Sequence, residues 1–179
     1  MIDILQLGHP QLRQSAQPIT NFADDTLQTT IDQALTQLIQ AGGVGIAAPQ
    51  VGNDWSWCIV ASHPTLRYPD APYMSPLVML NPLIIDRAET CDRGWEGCLS
   101  VPGLRGLVSR STSVRVTYQN RDGEPRAETF EGFAARIVQH ECDHLNGVMF
   151  IDRVERTADL MSEVEYRRQI LKIPHDLPI

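Results

Sequence analysis

Apolar residues recur every three or four positions after Asp24, which is the spacing of one face of an amphipathic helix. The recurring positions are Leu27, Ile31, Ala34, Leu35, Leu38 and Ile39. Asp24 is suited to cap the start of this helix, and the pair Gly42 and Gly43 is suited to end it. We therefore predict a core helix between Asp24 and Gly42.

Two apolar runs further along the chain predict strands. Residues 57–61 form the first run, and residues 78–85 form a second one that contains Pro82. Because proline has no N–H for the ladder of a sheet, the second strand is expected to be interrupted there and to be an edge or bulged strand. The proline-rich residues 63–76 between the two runs predict a loop.

A regular alternation of apolar and polar residues follows at residues 113–118 and is typical of a half-exposed strand. Residues 120–123, Asn-Arg-Asp-Gly, have the composition of a hairpin turn. Residues 125–130 are therefore predicted to return as a second strand beside the first.

Helical spacing resumes near Gly132, and Gly147 is placed to end that helix. A short last helix is predicted over residues 157–171, whereas residues 1–20 look irregular. Helices and strands are mixed along the chain without an internal repeat. We therefore predict a single α+β domain over residues 1–179, with mixed, mainly antiparallel sheets packed around the helix that starts near Gly132.

The composition limits the classes of function that this chain can have. It has 179 residues, of which 42% are hydrophobic, so one core can form. Its net charge of −7 argues against a DNA-binding protein. Without a membrane-length apolar run or a signal peptide, a cytoplasmic protein with no membrane partner is expected. The four cysteines show no paired spacing, which favours free thiols or metal ligands over disulfides.

The predicted helix after Gly132 carries the motif His-Glu-x-x-His. His140 and His144 are one helical turn apart and lie on the same face, so that both imidazoles can bind one cation. Glu141 is offset from that face, and its carboxylate is suited to accept a proton from a water. The motif therefore predicts a metal site with its own general base.

Two histidines leave the third metal ligand undecided. Phe150 occupies the position where a metzincin has its third histidine, which excludes that class. A thermolysin-like metallopeptidase uses a glutamate, and Glu163 lies at a suitable distance along the chain. Cys98 is the other candidate, because Gly97 before it and a Pro-Gly pair after it predict a tight loop. Cys58 and Cys142 are interpreted as buried thiols.

A segment rich in small residues, residues 43–52, begins with Gly-x-Gly. A dinucleotide-binding loop would need a third glycine and a preceding strand, and this segment has neither. Small residues and glycines also allow the backbone to approach a ligand closely. We therefore expect either a tight structural loop or a strand whose backbone lines a ligand cleft.

Three separated motifs make the chain similar to a known family. Residues 43–50 match Gly-x-Gly-x-Ala-Ala-x-Gln, residues 96–100 match Glu-Gly-Cys-Leu-Ser, and residues 139–147 match the family's Gln-His-Glu helix. In this order they resemble the peptide deformylases, and the resemblance spans roughly residues 4–155. It disfavours the thermolysin-like alternative.

The resemblance implies a metal and a substrate. The metal ligands would be Cys98, His140 and His144, which hold one divalent ion. The family implies Fe(II) in the cell, with Zn, Ni or Co accepted in preparations. The substrate implied is the N-formyl-methionyl end of nascent polypeptides, from which the enzyme releases formate.

The resemblance also assigns the catalytic groups. Glu141 would take a proton from the attacking water and pass it to the departing amine. The side-chain amide of Gln50 and the backbone N–H of Leu99 would bind the oxyanion that develops on the formyl oxygen. Because these groups are complete, a catalytically silent protein of the same fold is the weaker alternative.

Substrate binding is predicted at two places, one in the first motif and one on the helix before the third. The backbone of Val44, Gly45 and Ile46 is suited to pair with an extended peptide. Phe133 and Ile137, on the helix turns before the histidines, are candidates to form an apolar methionine pocket together with Val44. Ordinary core packing is the alternative for each of these side chains.

Four further features complete the expectations. Arg105 matches an arginine found near the peptide cleft of the family, and a solvated surface arginine is the alternative. The loop at residues 63–76 looks longer than in compact family members. A transient ribosome contact is a family property, but the short segment after Asp152 argues against docking through a C-terminal helix. Asp143, which lies off the ligand face, is expected to orient a neighbouring group or to cap local structure rather than to bind metal.

Overall fold

The two helices predicted from apolar spacing are both present in the computed structural model, which describes residues 2–65 and 68–173. Part of the predicted loop at 63–76 and the segment after residue 173 lie outside the described residues. The α-helices are α1 (Asp25–Gln40), α2 (Gly132–Leu145) and α3 (Glu163–Gln169). Single 3-10 turns occur at Pro10–Arg13, Ala48–Val51, Phe150–Arg153 and Thr157–Asp159.

The strands form two antiparallel sheets. The eight strands in the described residues are β1 (Gly45–Ala47), β2 (Trp57–Ser62), β3 (Met74–Arg87), β4 (Cys91–Cys98), β5 (Val101–Ser111), β6 (Ser113–Gln119), β7 (Pro125–Glu131) and β8 (Leu160–Ser162). A five-stranded sheet has the order β1-β2-β3-β6-β7, and a three-stranded sheet has the order β4-β5-β8. The predicted hairpin of β6 and β7 is confirmed.

Strand β2 is buried on both faces because a helix lies against each side of the larger sheet. Trp57 and Ile59 belong to the core that contains the apolar face of α1. Cys58 and Val60 belong to the core that contains α2. A strand covered on both faces reads as a continuous apolar run rather than an alternating one, as residues 57–61 do. The α+β class with a central helix is confirmed.

Helix α1 follows the predicted pattern closely. The side chain of Asp24 accepts a hydrogen bond from the N–H of Leu27 at 2.9 Å, which caps the first turn. The face buried against the sheet consists of Leu27, Ile31, Ala34 and Leu38. Ile39, at the margin of the predicted face, remains exposed.

The expectation for Pro82 is partly wrong. Strand β3 continues through Pro82, and it is an inner strand between β2 and β6 rather than an edge strand. A bulge between Leu80 and Leu83 accommodates the missing N–H, as predicted. Asn81, which has φ of +49°, anchors the bulge by accepting a hydrogen bond from the N–H of Ile19 at 2.7 Å.

Two other expectations need correction. Cys98 is the last residue of strand β4, which pairs with β5, and does not lie in an isolated loop. The predicted helix over residues 157–171 is an α-helix only over Glu163–Gln169, because residues 160–162 form β8 on the edge of β5 after a single 3-10 turn. Ser162 then caps α3 by accepting from the N–H of Glu165 at 3.2 Å. None of the helices in the described parts of the chain has the length and apolarity of a membrane span.

Candidate metal centre and active site

Three potential metal ligands converge where the smaller sheet meets α2. Cys98 comes from the end of β4, and His140 and His144 come from the buried face of α2. Their donor atoms all lie within 4.8 Å of one another, and Cys98 Sγ is 3.2 Å from His144 Nε2. Donors around a tetrahedral zinc-like ion are about 3.5 Å apart, given metal–sulfur and metal–nitrogen bonds of about 2.3 and 2.0 Å. One thiolate and two imidazoles at this spacing therefore fit a divalent transition-metal ion.

His140 is oriented by a buried carboxylate. Its Nδ1 lies 2.9 Å from Glu96 Oε2, which leaves Nε2 as the nitrogen available to a metal. Glu96 also accepts hydrogen bonds from Arg110 at 3.0 Å and Arg136 at 2.9 Å. Burial alone would raise the pKa of Glu96, but the hydrogen bonds from His140 and Arg110 hold that pKa far below its usual value. These contacts favour the charged form of Glu96 behind His140.

The ionic network continues away from the metal centre through Asp143. Arg110 donates to Asp143 Oδ2 at 2.5 Å, and Arg153 donates to Asp143 Oδ1 at 2.7 Å. Asp143 thus orients neighbouring arginines and is not part of the donor group, as predicted. The network connects α2 to strand β5 and to the turn at Phe150–Arg153.

Glu141 lies in a pocket that the backbone of β1 leaves open. A Cβ atom added at Gly45 would fall 2.2 Å from Glu141 Oε1, so only glycine permits this approach. Within the described residues, Glu141 Oε2 has no hydrogen-bond partner although it is buried. Burial raises the pKa of Glu141 to about 7. A carboxyl group with these properties can take up and release a proton near neutral pH.

Gln50 presents its amide nitrogen to the cysteine ligand. Its Oε1 accepts from the N–H of Ala47 at 2.8 Å, which fixes which end of the amide faces the site. Its Nε2 is then directed toward Ser100 Oγ at 3.1 Å and Cys98 Sγ at 3.3 Å. A hydrogen-bond donor is therefore held beside the metal centre before any ligand arrives.

A cavity of about 330 Å³ opens onto these groups. Its lining includes the predicted residues Val44, Gly45, Gln50, Cys98, Leu99, Arg105, Phe133, Ile137, His140 and Glu141. His144 lies behind the lining, fully buried. Ile46 does not line the cavity, because its side chain is buried in the core beneath α1. The structure thus gathers the motif residues around one cleft.

The surface alternative for Arg105 is wrong. Arg105 is only 4% exposed, and it forms a two-pronged ion pair with Glu163 at 2.5 and 3.2 Å. This pairing also removes Glu163 from consideration as the third metal ligand. Within the described part of the chain, Glu163 is absent from the donor group that contains Cys98.

Sequence reasoning missed several residues of the site. Glu96 opens the Glu-Gly-Cys motif, and Arg136 lies one helical turn before His140, so the spacing offered a signal for both. For Arg110 the only signal would have been its position in strand β5, which the sequence pattern did not predict. No local signal identified Tyr68 or Trp95, which also line the cavity.

This combination of a cysteine and two helix-borne histidines, with a buried carboxylate beside them, defines a metallohydrolase type of site. Comparison with known proteins agrees with that class, since residues 1–159 match the family model of polypeptide deformylase. Peptide deformylase 2 of Nostoc sp. is 48% identical over 96% of this chain and 96% of its own length. Peptide deformylase 2 of Shewanella oneidensis is 45% identical over 94% of this chain and 92% of its own length.

A solved structure gives the same result for the fold. The class I type b peptide deformylase from Acinetobacter baumannii, with Met-Ala-Ser bound, superimposes with a TM-score of 0.84 at 42% identity. The match covers 86% of this chain and 98% of that one. The chain therefore belongs to the polypeptide deformylase family, whose enzymes remove the formyl group from nascent peptides.

Proposed function

We propose that this chain hydrolyses the N-formyl group from the initiator methionine of newly made polypeptides and releases formate. The observation that carries the proposal is that the buried carboxylate of Glu141 lines the same cavity as Cys98 and the Gln50 amide that contacts it. The catalytic domain comprises residues 1–179.

Cys98, His140 and His144 hold one divalent metal ion, which is Fe(II) in the cell and can be Zn, Ni or Co in a preparation. The family resemblance supports iron, whereas the ligand types alone also suit zinc. When bound, the ion supplies Lewis acidity that lowers the pKa of a water and polarises the formyl carbonyl. Glu96 keeps the ring of His140 in the orientation that presents Nε2.

Glu141 is the general base and then the general acid. It takes a proton from the attacking water as the oxygen bonds to the formyl carbon. It passes that proton to the amine nitrogen as the C–N bond breaks and formate leaves. Burial raises the pKa of the Glu141 carboxyl group, which suits a group that must first accept a proton and then release it.

Two donors stabilise the charge that develops on the formyl oxygen. These are Gln50 Nε2, which Ala47 and Ser100 hold in place, and the backbone N–H of Leu99 at the turn between β4 and β5. Donors that are fixed in advance require no reorganisation during the reaction. Removal of one such donor costs about 10²–10³ in rate.

The peptide binds as an added strand on the edge of the larger sheet. Strand β1 is the first strand of that sheet, so one of its edges pairs with β2 and the other faces the cavity. The backbone of Val44, Gly45 and Ile46 provides the hydrogen-bonding groups. The methionine side chain lies against Phe133 and Ile137 at the cavity wall.

The substitution Glu141→Gln tests this assignment. It keeps the shape of the side chain and removes its proton affinity, so hydrolysis of formyl-Met-Ala-Ser should fall by about 10²–10⁴-fold. Metal content, measured on anaerobically iron-loaded protein, should stay near one ion per chain. Near-normal turnover by this variant would refute the role of Glu141.

The location that this activity requires is the cytoplasm, where nascent chains carry the formyl group. A transient contact with the ribosome would bring the enzyme to its substrate. The net charge of −7 makes broad RNA binding unfavourable, so such a contact is weak or local. Cosedimentation with translating ribosomes tests for it.

A further inference from the structure

Tyr68 brings a side chain from the loop between β2 and β3 into the wall of the cavity. Its ring lies against Phe133 of α2, with ring centroids 5.0 Å apart and planes inclined by 50°. Both rings line the same cleft as Glu141 and Cys98. Tyr68 belongs to none of the sequence motifs, so nothing in the proposed reaction accounts for its position.

Arg105 fixes the hydroxyl end of Tyr68. Arg105 Nη1 donates to Tyr68 Oη at 2.9 Å, and the guanidinium carbon lies 5.6 Å from the centre of the tyrosine ring. The same guanidinium forms the ion pair with Glu163 and lies 5.2 Å from the ring of Tyr166. Arg105 therefore joins the loop, strand β5 and helix α3 at one end of the cavity.

Gly97 leaves the space that Arg105 occupies. A Cβ atom added at Gly97 would fall 2.3 Å from Arg105 Nη1. Gly97 immediately precedes Cys98, so the guanidinium passes directly beside the segment that carries the metal ligand. A charge held this closely by an anion and two aromatic rings does not remain available as a free cation for substrate.

The backbone of Tyr68 is held by its own loop. Its N–H donates to Thr65 Oγ1 at 3.0 Å, and its carbonyl accepts from the N–H of Ala71 at 3.2 Å. Ser62 Oγ donates to the carbonyl of Pro72 at 2.5 Å, which closes the base of the loop. Tyr68 is thus held at two points. Hydrogen bonds within the loop hold its backbone, and Arg105 holds its side-chain hydroxyl.

We propose that Tyr68 is a specificity-determining residue that limits the size of the first side chain of the substrate. The ring closes the cavity next to Phe133. A flexible, unbranched thioether fits against an aromatic ring and gains a sulfur–aromatic contact, whereas a bulky aromatic side chain meets the ring of Tyr68. This inference rests on the proposed function, since it assigns the wall of that same site.

The test compares Tyr68→Ala with Tyr68→Phe on formyl-Met-Ala-Ser and formyl-Phe-Ala-Ser. The alanine variant should lower the ratio of kcat/KM for the methionine over the phenylalanine substrate by at least about tenfold, mainly through KM. The phenylalanine variant keeps the ring and loses only the hydrogen bond, so its ratio should change by less than about threefold. A wild-type ratio in Tyr68→Ala would overturn the proposal.

Tyr73→Ala is the matched control in the same loop. Tyr73 is 79% exposed and does not line the cavity, so its removal should leave the ratio and the metal content unchanged. If Tyr73→Ala changes the ratio as much as Tyr68→Ala does, a general loosening of the loop explains the effect and the proposal fails.

A binding measurement separates this proposal from the proposed reaction. Trp95 lines the same cavity, so its fluorescence can follow the binding of Met-Ala-Ser and Phe-Ala-Ser without turnover. Tyr68→Ala should reduce the preference for Met-Ala-Ser by a similar factor. If the wild-type protein binds Met-Ala-Ser selectively but hydrolyses neither formyl peptide, the proposed reaction is contradicted and the role of Tyr68 is not. If Tyr68→Ala keeps the wild-type binding preference, the role of Tyr68 is contradicted.

Discussion

Gly45 and Glu141 are in such close contact that the identity of one residue determines the position of the other. The carboxylate occupies the space where any other residue at position 45 would place its Cβ. The same absent side chain exposes the backbone of β1 to the cavity. The absence of a side chain at Gly45 therefore makes room for the carboxylate of Glu141 and also leaves the edge of β1 open to a peptide.

Gly45→Ala is expected to displace Glu141 and to lower kcat/KM by about 10²-fold, since a misplacement of about 1 Å can cost this much. The new Cβ would also fall 2.9 Å from Ile137 Cγ2, so the carboxylate cannot escape by a small movement in that direction. Steady-state kinetics on iron-loaded protein measure the loss. Metal content should remain unchanged, because the three heavy atoms nearest to the added Cβ belong to Glu141 and Ile137 and not to a metal ligand.

Gly43→Ala serves as the comparison in the same segment. Its added Cβ would meet Leu38 Cδ1 at 2.7 Å, which is the end of a flexible side chain that can move. We expect a much smaller loss of activity. An equal loss in both variants would show that the backbone of the segment, and not the position of Glu141, is being disturbed.

The residues of the site differ in how far local sequence predicts them. His140, His144 and Glu141 follow from helical spacing alone, because all three lie within two turns of one helix. Cys98 and Gln50 needed the resemblance to a family, since their proximity to the helix depends on the fold. The burial of Arg105 could not be read locally, because its partner Glu163 is 58 residues away in the chain.

Strands β4 and β5 were not predicted from the sequence because charged residues occupy buried positions in them. Arg105 and Arg110 point inward from β5, where an alternating pattern would call for apolar residues. Each is stabilised by a carboxylate on another element, Glu163 and Glu96 respectively. Buried ion pairs of this kind conceal a strand from any analysis of hydrophobic pattern.

The C-terminal helix was predicted too long for a related reason. Residues 157–171 have acceptable helical composition, but residues 160–162 pair with the edge of β5. Tertiary pairing therefore overrides a weak local preference. Ser162, which caps α3, was the local signal for the true start of the helix.

Glu96 is one of the groups that attach helix α2 to the smaller sheet, through its contacts with Arg136 and His140. Glu96→Ala would leave Arg110 and Arg136 as buried charges that have lost a carboxylate, which should lower the free energy of unfolding by about 3–5 kcal/mol. Because His140 loses its hydrogen-bond partner, metal affinity should also fall by about 10–100-fold. Urea unfolding and metal titration measure the two effects separately.

Asp32→Ala provides the contrast on the protein surface. Asp32 pairs with Arg121, and both side chains are substantially exposed, so the loss should be below about 1 kcal/mol. If the two variants were destabilised equally, the buried network around Glu96 would have no special role in holding α2.

At the scale of the whole molecule, the metal centre lies between the smaller sheet and α2. Cys98 belongs to the three-stranded sheet, whereas His140 and His144 belong to the helix that covers the five-stranded sheet. Gln50 follows β1 at the edge of the larger sheet. A metal bound to Cys98, His140 and His144 would therefore crosslink the three-stranded sheet to the helix that covers the five-stranded sheet.

Metal removal is consequently expected to lower the thermal unfolding midpoint. A ligand at about 1,000 times its Kd stabilises the native state by about 4 kcal/mol. For a chain of this size, that corresponds to a shift of about 8–16 °C. Thermal unfolding with and without a chelator measures the shift, and added metal should reverse it.

Two cysteine variants identify the site responsible for that shift. Cys98→Ala should unfold at the same temperature with and without chelator, because one of the three ligands is absent. Cys91→Ala should retain the full response, since Cys91 is an exposed thiol at the far end of the same strand. If Cys98→Ala kept the chelator response, the stabilising metal would be bound elsewhere, and a metal crosslink between the two sheets through Cys98 would be excluded.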